Sequence, residues 1–267
     1  MIIEKFGAHL EGTTQISNSS AFSYNANFYI DKIPSSVTDI ADAAFLGCAN
    51  LYVTELPEGL TAIGNYTFQH CVNLMLQKLP ETVTSIGNYA FSYCGNLMLT
   101  KLPDGLTSIG ESAFSHCANM MLTELPAGLT KLESSAFSYC CNLRLTKLPD
   151  AMTEIGYYAL GGCTNLQLTE LPAGLVMIAS DAFYYCYDGV KNIKKIPACV
   201  QTIGSEAFRN GHLTELTFEG TPQSIAANAF FGCSQLTKIN VPWAEDAVAN
   251  APWGATNATI TYDYVAG

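Results

Sequence analysis

One repeat constrains this chain more than any other feature. The prolines of a Leu-Pro or Ile-Pro pair fall at Pro34, Pro57, Pro80, Pro103, Pro126, Pro149 and Pro172, a constant step of 23 residues. The next is Pro197, after a two-residue insertion within residues 187–192. A second register runs through Phe22, Phe45, Phe68, Phe91, Phe114, Phe137, Leu160, Phe183, Phe208 and Phe230. A period of this size marks a stack of turns that bury their apolar faces only against one another.

One turn shows how. Leu97, Leu99 and Leu102 read as a short strand that ends at Pro103. Pro103-Asp104-Gly105 is turn chemistry. Leu106 and Ile109 point inward again, and Ala113, Phe114 and Cys117 have the spacing of one helical turn. The expected fold is therefore an α/β solenoid of about ten turns with short strands and short helical turns. Residues 1–21 and 241–267 lose the repeat and are expected to cap a solenoid of residues 22–240. Ala258 to Tyr264 alternates like a strand, and both tryptophans lie in the C-terminal segment, as cap or as docking surface.

Composition excludes several classes. Apolar residues make up 49% and charged residues 13%, so the chain has too much apolar surface to stay disordered. A net charge of −11 argues against nucleic acid, which needs a basic footprint. No run approaches the length of a membrane span, so no membrane insertion is expected. The first residues lack the basic start and apolar stretch of a signal peptide. No GxGxxG, Walker loop, HExxH or GxSxG is present, and no enzyme or cofactor is expected.

Seven cysteines form a ladder, one per turn: Cys48, Cys71, Cys94, Cys117, Cys140, Cys163 and Cys186. Turns about 5 Å apart hold parallel side chains too far apart for disulfides, and no C-x₂-C pair invites zinc. They are expected to be buried free thiols acting as small hydrophobes. Two residues after Asn25, which holds the cysteine register in the first turn, and after Cys48 to Cys163 come Asn27, Asn50, Asn73, Asn96, Asn119, Asn142 and Asn165, expected as buried amides that satisfy turn carbonyls.

Two outward stripes remain as candidate binding residues. His70, Tyr93, His116 and Tyr139 share one register; the histidines, about 10 Å apart, are too distant to share a metal. Tyr52, Met75, Met98, Met121, Arg144 and Gln167 share another. They face solvent if the strand register is as read, and the core if it is offset by one. Glu55, Lys78, Lys101, Glu124, Lys147 and Glu170 form a charge row whose alternation from Lys101 on is expected to align turns.

The pattern LPxGLTxIGxxAFxxCxNL, over roughly residues 20–240, resembles the BspA-like leucine-rich repeats of bacterial surface proteins, with comparable arrays encoded by gut bacteria and their phages. The resemblance implies a right-handed α/β solenoid and adhesion to host proteins or other cells. The expected function is non-catalytic recognition of a host or bacterial surface protein, outside the cell. The alternatives are a structural part of a phage virion and a glycan-binding surface.

Overall fold

The computed structural model describes residues 12–25 and 30–265. His9, Asn27 and residues 1–11 of the expected N-terminal cap lie outside the described residues. The chain divides into two compact units, Met1–Leu129 with Ala136–Leu143, and Thr130–Ser135 with Arg144–Gly267. Each is a stack of parallel β turns.

In the first unit, β1 (Gln15–Ile16) pairs with β2 (Asp39–Ile40), and β3 (Ala62–Ile63), β4 (Ser85–Ile86) and β5 (Ser108–Ile109) form a parallel three-stranded ladder. In the second, β6 (Lys131–Leu132), β7 (Glu154–Ile155), β8 (Met177–Ile178), β10 (Thr202–Ile203) and β12 (Ser224–Ile225) form one sheet; β9 (Lys195–Ile196), β11 (Glu215–Phe218), β13 (Lys238–Asn240) and β14 (Thr259–Thr261) form another. The two-residue strands place an outward residue beside a buried Ile or Leu, and register is kept by pairs such as Ile86↔Ile109.

The core is built from like stacked on like. Phe45, Phe68, Phe91 and Phe114 are fully buried, and their rings stack at 5.4–5.5 Å, 3–12° from parallel. The rings sit one strand spacing apart because each turn repeats the same backbone path. Burying each contributes about 1.5–3 kcal/mol.

Two local expectations are corrected. The Leu97–Leu102 segment is not a strand. It makes single inter-turn bonds, such as Met98 N–H to Leu76 O at 3.0 Å and Met121 N–H to Leu99 O at 3.0 Å, while the paired strand lies at Ser108–Ile109. Spacing explains this. Leu97, Leu99 and Leu102 are all buried, so the three-residue gap after Leu99 must kink the chain to return Leu102 to the core. In the later turn Leu213, Leu216 and Phe218, the two-residue gap comes last, and there the four-residue β11 forms.

The segment holding Ala113, Phe114 and Cys117 is not a helical turn. Local bonds (Ala113 N–H to Gly110 O, Ser115 to Ser112, Cys117 to Phe114) alternate with bonds between turns (Tyr89 N–H to Glu111 O, Phe91 to Ala113, Tyr93 to Ser115). Ser112 and His116 have φ of 52° and 61°, as do their counterparts Tyr89 (57°) and Tyr93 (62°). A left-handed residue every fourth position cannot continue a helix, so alternate N–H groups turn to the neighbouring coil.

Past Pro242 the chain closes over the last turn. Trp243 and Trp253 are buried and pack against Phe218 at 5.3 and 6.0 Å. Trp253 Nε1 donates to Ala249 O at 2.7 Å. β14 pairs with β13, within the segment expected to be a strand. The two tryptophan side chains are thus packing elements here.

Candidate binding surface

The outward register is settled in favour of solvent. Met121 is 39% exposed, Tyr52, Met75 and Met98 are half-buried, and Arg144 and Gln167 are exposed. Their neighbours on either side, Leu97 and Leu99 or Leu143 and Leu145, are fully buried, so the core reading of the stripe is overturned. The charge row does not align turns through direct alternating pairs. Lys101 bonds Asp104 of its own turn at 2.9 Å, Lys78 reaches Glu58 at 3.5 Å, and among the described residues no ion pair joins Lys101 to Glu124 or Lys147 to Glu170. These side chains are mostly exposed, where water screens such pairs and they add little.

The aromatic register forms a column on the first unit. His70 stacks on Tyr93 at 4.7 Å, Tyr93 on His116 at 4.2 Å, and His116 meets Tyr139 at 4.7 Å with a tilt of 34°. All four occupy left-handed backbone positions. That conformation turns their side chains away from the core, which explains why Tyr93 and Tyr139 stay 43% and 42% exposed while Phe91 and Phe137 are fully buried. His116 Nδ1 lies 2.8 Å from Ser115 Oγ, which also meets Ser138 Oγ at 2.8 Å. Partial burial lowers the His116 pKa, which favours its neutral imidazole at pH 7. Among the described residues no cluster of His, Cys, Asp and Glu could hold a metal.

The cysteine ladder does more than fill space. Cys48, Cys71, Cys94, Cys117 and Cys140 donate their thiol hydrogen to the carbonyls of Phe22, Phe45, Phe68, Phe91 and Phe114, one turn back, at 3.0–3.1 Å. Cys186 does the same to Leu160 O at 3.1 Å, and Cys163 is fully buried at the same register. Burial pushes the Cys48 thiol up to about 12 and those of Cys71 and Cys94 well above the ordinary range, so they are protonated donors, not nucleophiles. Gly211 takes the place of a cysteine where Val190, brought in by the insertion, would lie 2.9 Å from a Cβ.

The expectation of buried asparagines is corrected. Asn50, Asn73 and Asn142 are half-buried, and Asn96, Asn119 and Asn165 are exposed. Asn73 donates to Ala49 O at 2.8 Å, and Asn96 reaches Asn73 Oδ1 at 3.4 Å. The tighter polar ladder follows the Ile-Gly or Ile-Ala pair. Asp42 Oδ1 accepts from Asn65 N–H, Asn65 Oδ1 from Asn88 N–H, and Asn88 Oδ1 from Glu111 N–H, at 2.7–2.9 Å. The sequence reading missed it because residue type varies along this register.

A second aromatic cluster, also missed, lies on the second unit. The residue after the core Phe is polar from Phe68 to Phe137 (Gln69, Ser92, Ser115, Ser138) but becomes Tyr184, Arg209 and Phe231 later. That change of type was the available signal. The Arg209 guanidinium lies 5.3 Å from the Tyr184 ring centre and 5.1 Å from that of Phe231, held by Glu206 at 2.6 Å.

The model of the BspA-type leucine-rich repeat region matches residues 14–144 and 130–250 of this sequence, in six copies. The chain belongs to the BspA-type leucine-rich repeat family. Its fold is similar to that of a leucine-rich repeat protein from Bacteroides ovatus, with a TM-score of 0.56 and 21% identity over 93% of this chain. The chain spans 64% of that protein's length. A leucine rich cell surface protein from Faecalibacterium prausnitzii gives 0.53 and 21% over 94% of this chain and 83% of its own. The T. pallidum leucine-rich repeat protein gives 0.50 and 32% over 57% and 71%. No curated protein matches the sequence. In this BspA-type chain, no helix among the described residues is long and apolar enough to cross a membrane.

Proposed function

We propose that this BspA-type protein is a non-catalytic recognition module that binds a protein on a host or bacterial surface, and that the column His70–Tyr93–His116–Tyr139 carries the contact. The supporting observation is that Tyr93 and Tyr139 stay 43% and 42% exposed while the four rings meet at 4.2–4.7 Å. Aromatic residues held in one conformation are efficient anchors, since little side-chain entropy remains to be lost on binding. The rings use their faces on one another and so present their edges. Met75, Met98 and Met121 add a second, adaptable apolar stripe on the same unit.

The reading is tested by flow cytometry of labelled protein on intact epithelial and bacterial cells. Binding is expected, with at least a tenfold loss in Tyr93→Ala/Tyr139→Ala and a similar loss after protease treatment of the cells. Binding that survives protease treatment, or a double variant that binds as well as the parent, overturns it.

A further inference from the structure

We infer that Phe231 is the platform of a carbohydrate-binding site on the second unit, backed by Arg209 and rimmed by Asn228 and Glu206. Four observations carry this.

Phe231 is 50% exposed, although its neighbour Phe230 is fully buried. On one side it is stiffened by a sandwich one residue per turn deep, in which the Arg209 guanidinium sits between the rings of Phe231 and Tyr184 at 5.1 and 5.3 Å. Beyond it stands Gly254. A Cβ there would lie 3.1 Å from Phe231 N and 3.2 Å from Phe231 Cα, so the backbone packs directly against that of Phe231 with no side chain between them. Finally, the rim is polar. Glu206 Oε2 accepts from Arg209 Nη1 at 2.6 Å, and Asn228 Nδ2 reaches Glu206 Oε1 at 3.5 Å, a long contact.

This combination suits a pyranose. A sugar ring offers a face of C–H groups to one aromatic face, and its equatorial hydroxyls need paired donors and acceptors at the edge. Glu206 already neutralises Arg209, so a neutral sugar is favoured over an acidic one. Tyr93 and His116 in the column on the first unit cannot serve in this way, because both faces of each ring are occupied by neighbours at 4.2–4.7 Å. An extended protein partner is less well served by a platform one ring wide, since stable protein interfaces bury about 800 Å² per partner.

The test is titration calorimetry and saturation-transfer NMR of the full chain with neutral gluco-, manno- and galacto-configured hexasaccharides. At least one is expected to bind, with at least tenfold weakening in Phe231→Ala and Phe231→Leu and retention in Phe231→Tyr. Far-UV circular dichroism and thermal melts establish folding; Phe231→Leu keeps apolar volume while removing the ring. Tyr93→Ala/Tyr139→Ala is expected to bind sugar unchanged, which separates this site from the protein-binding column. The inference is overturned if no hexasaccharide binds, if Phe231→Leu binds as tightly as the parent, or if only proline-rich or aromatic peptides bind at Phe231.

Discussion

Cys94 has no exposed surface, and its thiol makes a 3.0 Å bond to the Phe68 carbonyl one turn away. Its burial is legible in the sequence, because the position repeats among apolar neighbours. The donor role is not, since it depends on where the preceding coil directs a carbonyl. Cys94→Ala removes both volume and donor and is expected to lower the unfolding free energy by about 1–3 kcal/mol in urea titrations. A loss below a few tenths would mean that the thiol only fills space. The same burial sets a pH dependence. With the thiols of Cys48 and Cys233 raised to about 12, the folded state holds protons that the unfolded chain releases near 9. Their stability contribution is full below pH 9 and is lost as pH rises towards 12. Melting temperature followed by circular dichroism should fall across that window, and less steeply in Cys48→Ala.

At the level of the element, the left-handed positions decide the shape of each turn. His70, at φ 60°, is exposed and stacks on Tyr93. Asn tolerates this backbone and a β-branched residue does not. His70→Val is therefore expected to be less stable than His70→Asn by at least about 1 kcal/mol in thermal melts. Equal stability would show that the backbone conformation relaxes freely. The apolar spacing around Ala113 and Phe114 was read as a helical turn because inward spacing alone cannot tell a helix from alternating turns. Similarly, the gap order in Leu97, Leu99 and Leu102, set against Leu213, Leu216 and Phe218, was visible in the sequence, but its consequence for pairing emerges only when neighbouring coils align.

Across the molecule, stability in a stack is a sum over neighbours, so damage is expected to stay local. Phe114→Ala, between two stacked rings, should cost about 3–5 kcal/mol, while Trp253→Ala should fray the last turns first. Hydrogen exchange read by mass spectrometry would show the second variant losing protection over residues 236–265 with residues 40–100 unchanged; uniform loss would contradict nearest-neighbour behaviour. The 23-residue period determined by itself that the chain stacks and that the repeating Phe, Leu, Ile and Cys positions enter the core, because burial in a stack follows from periodicity alone. Tertiary structure decided the rest. Which backbone groups pair, that the outward stripe faces water, that Tyr93 and His116 spend both ring faces on the column and that Phe231 stays half exposed all depend on what the adjacent turn places against each residue, about 23 positions away in the chain.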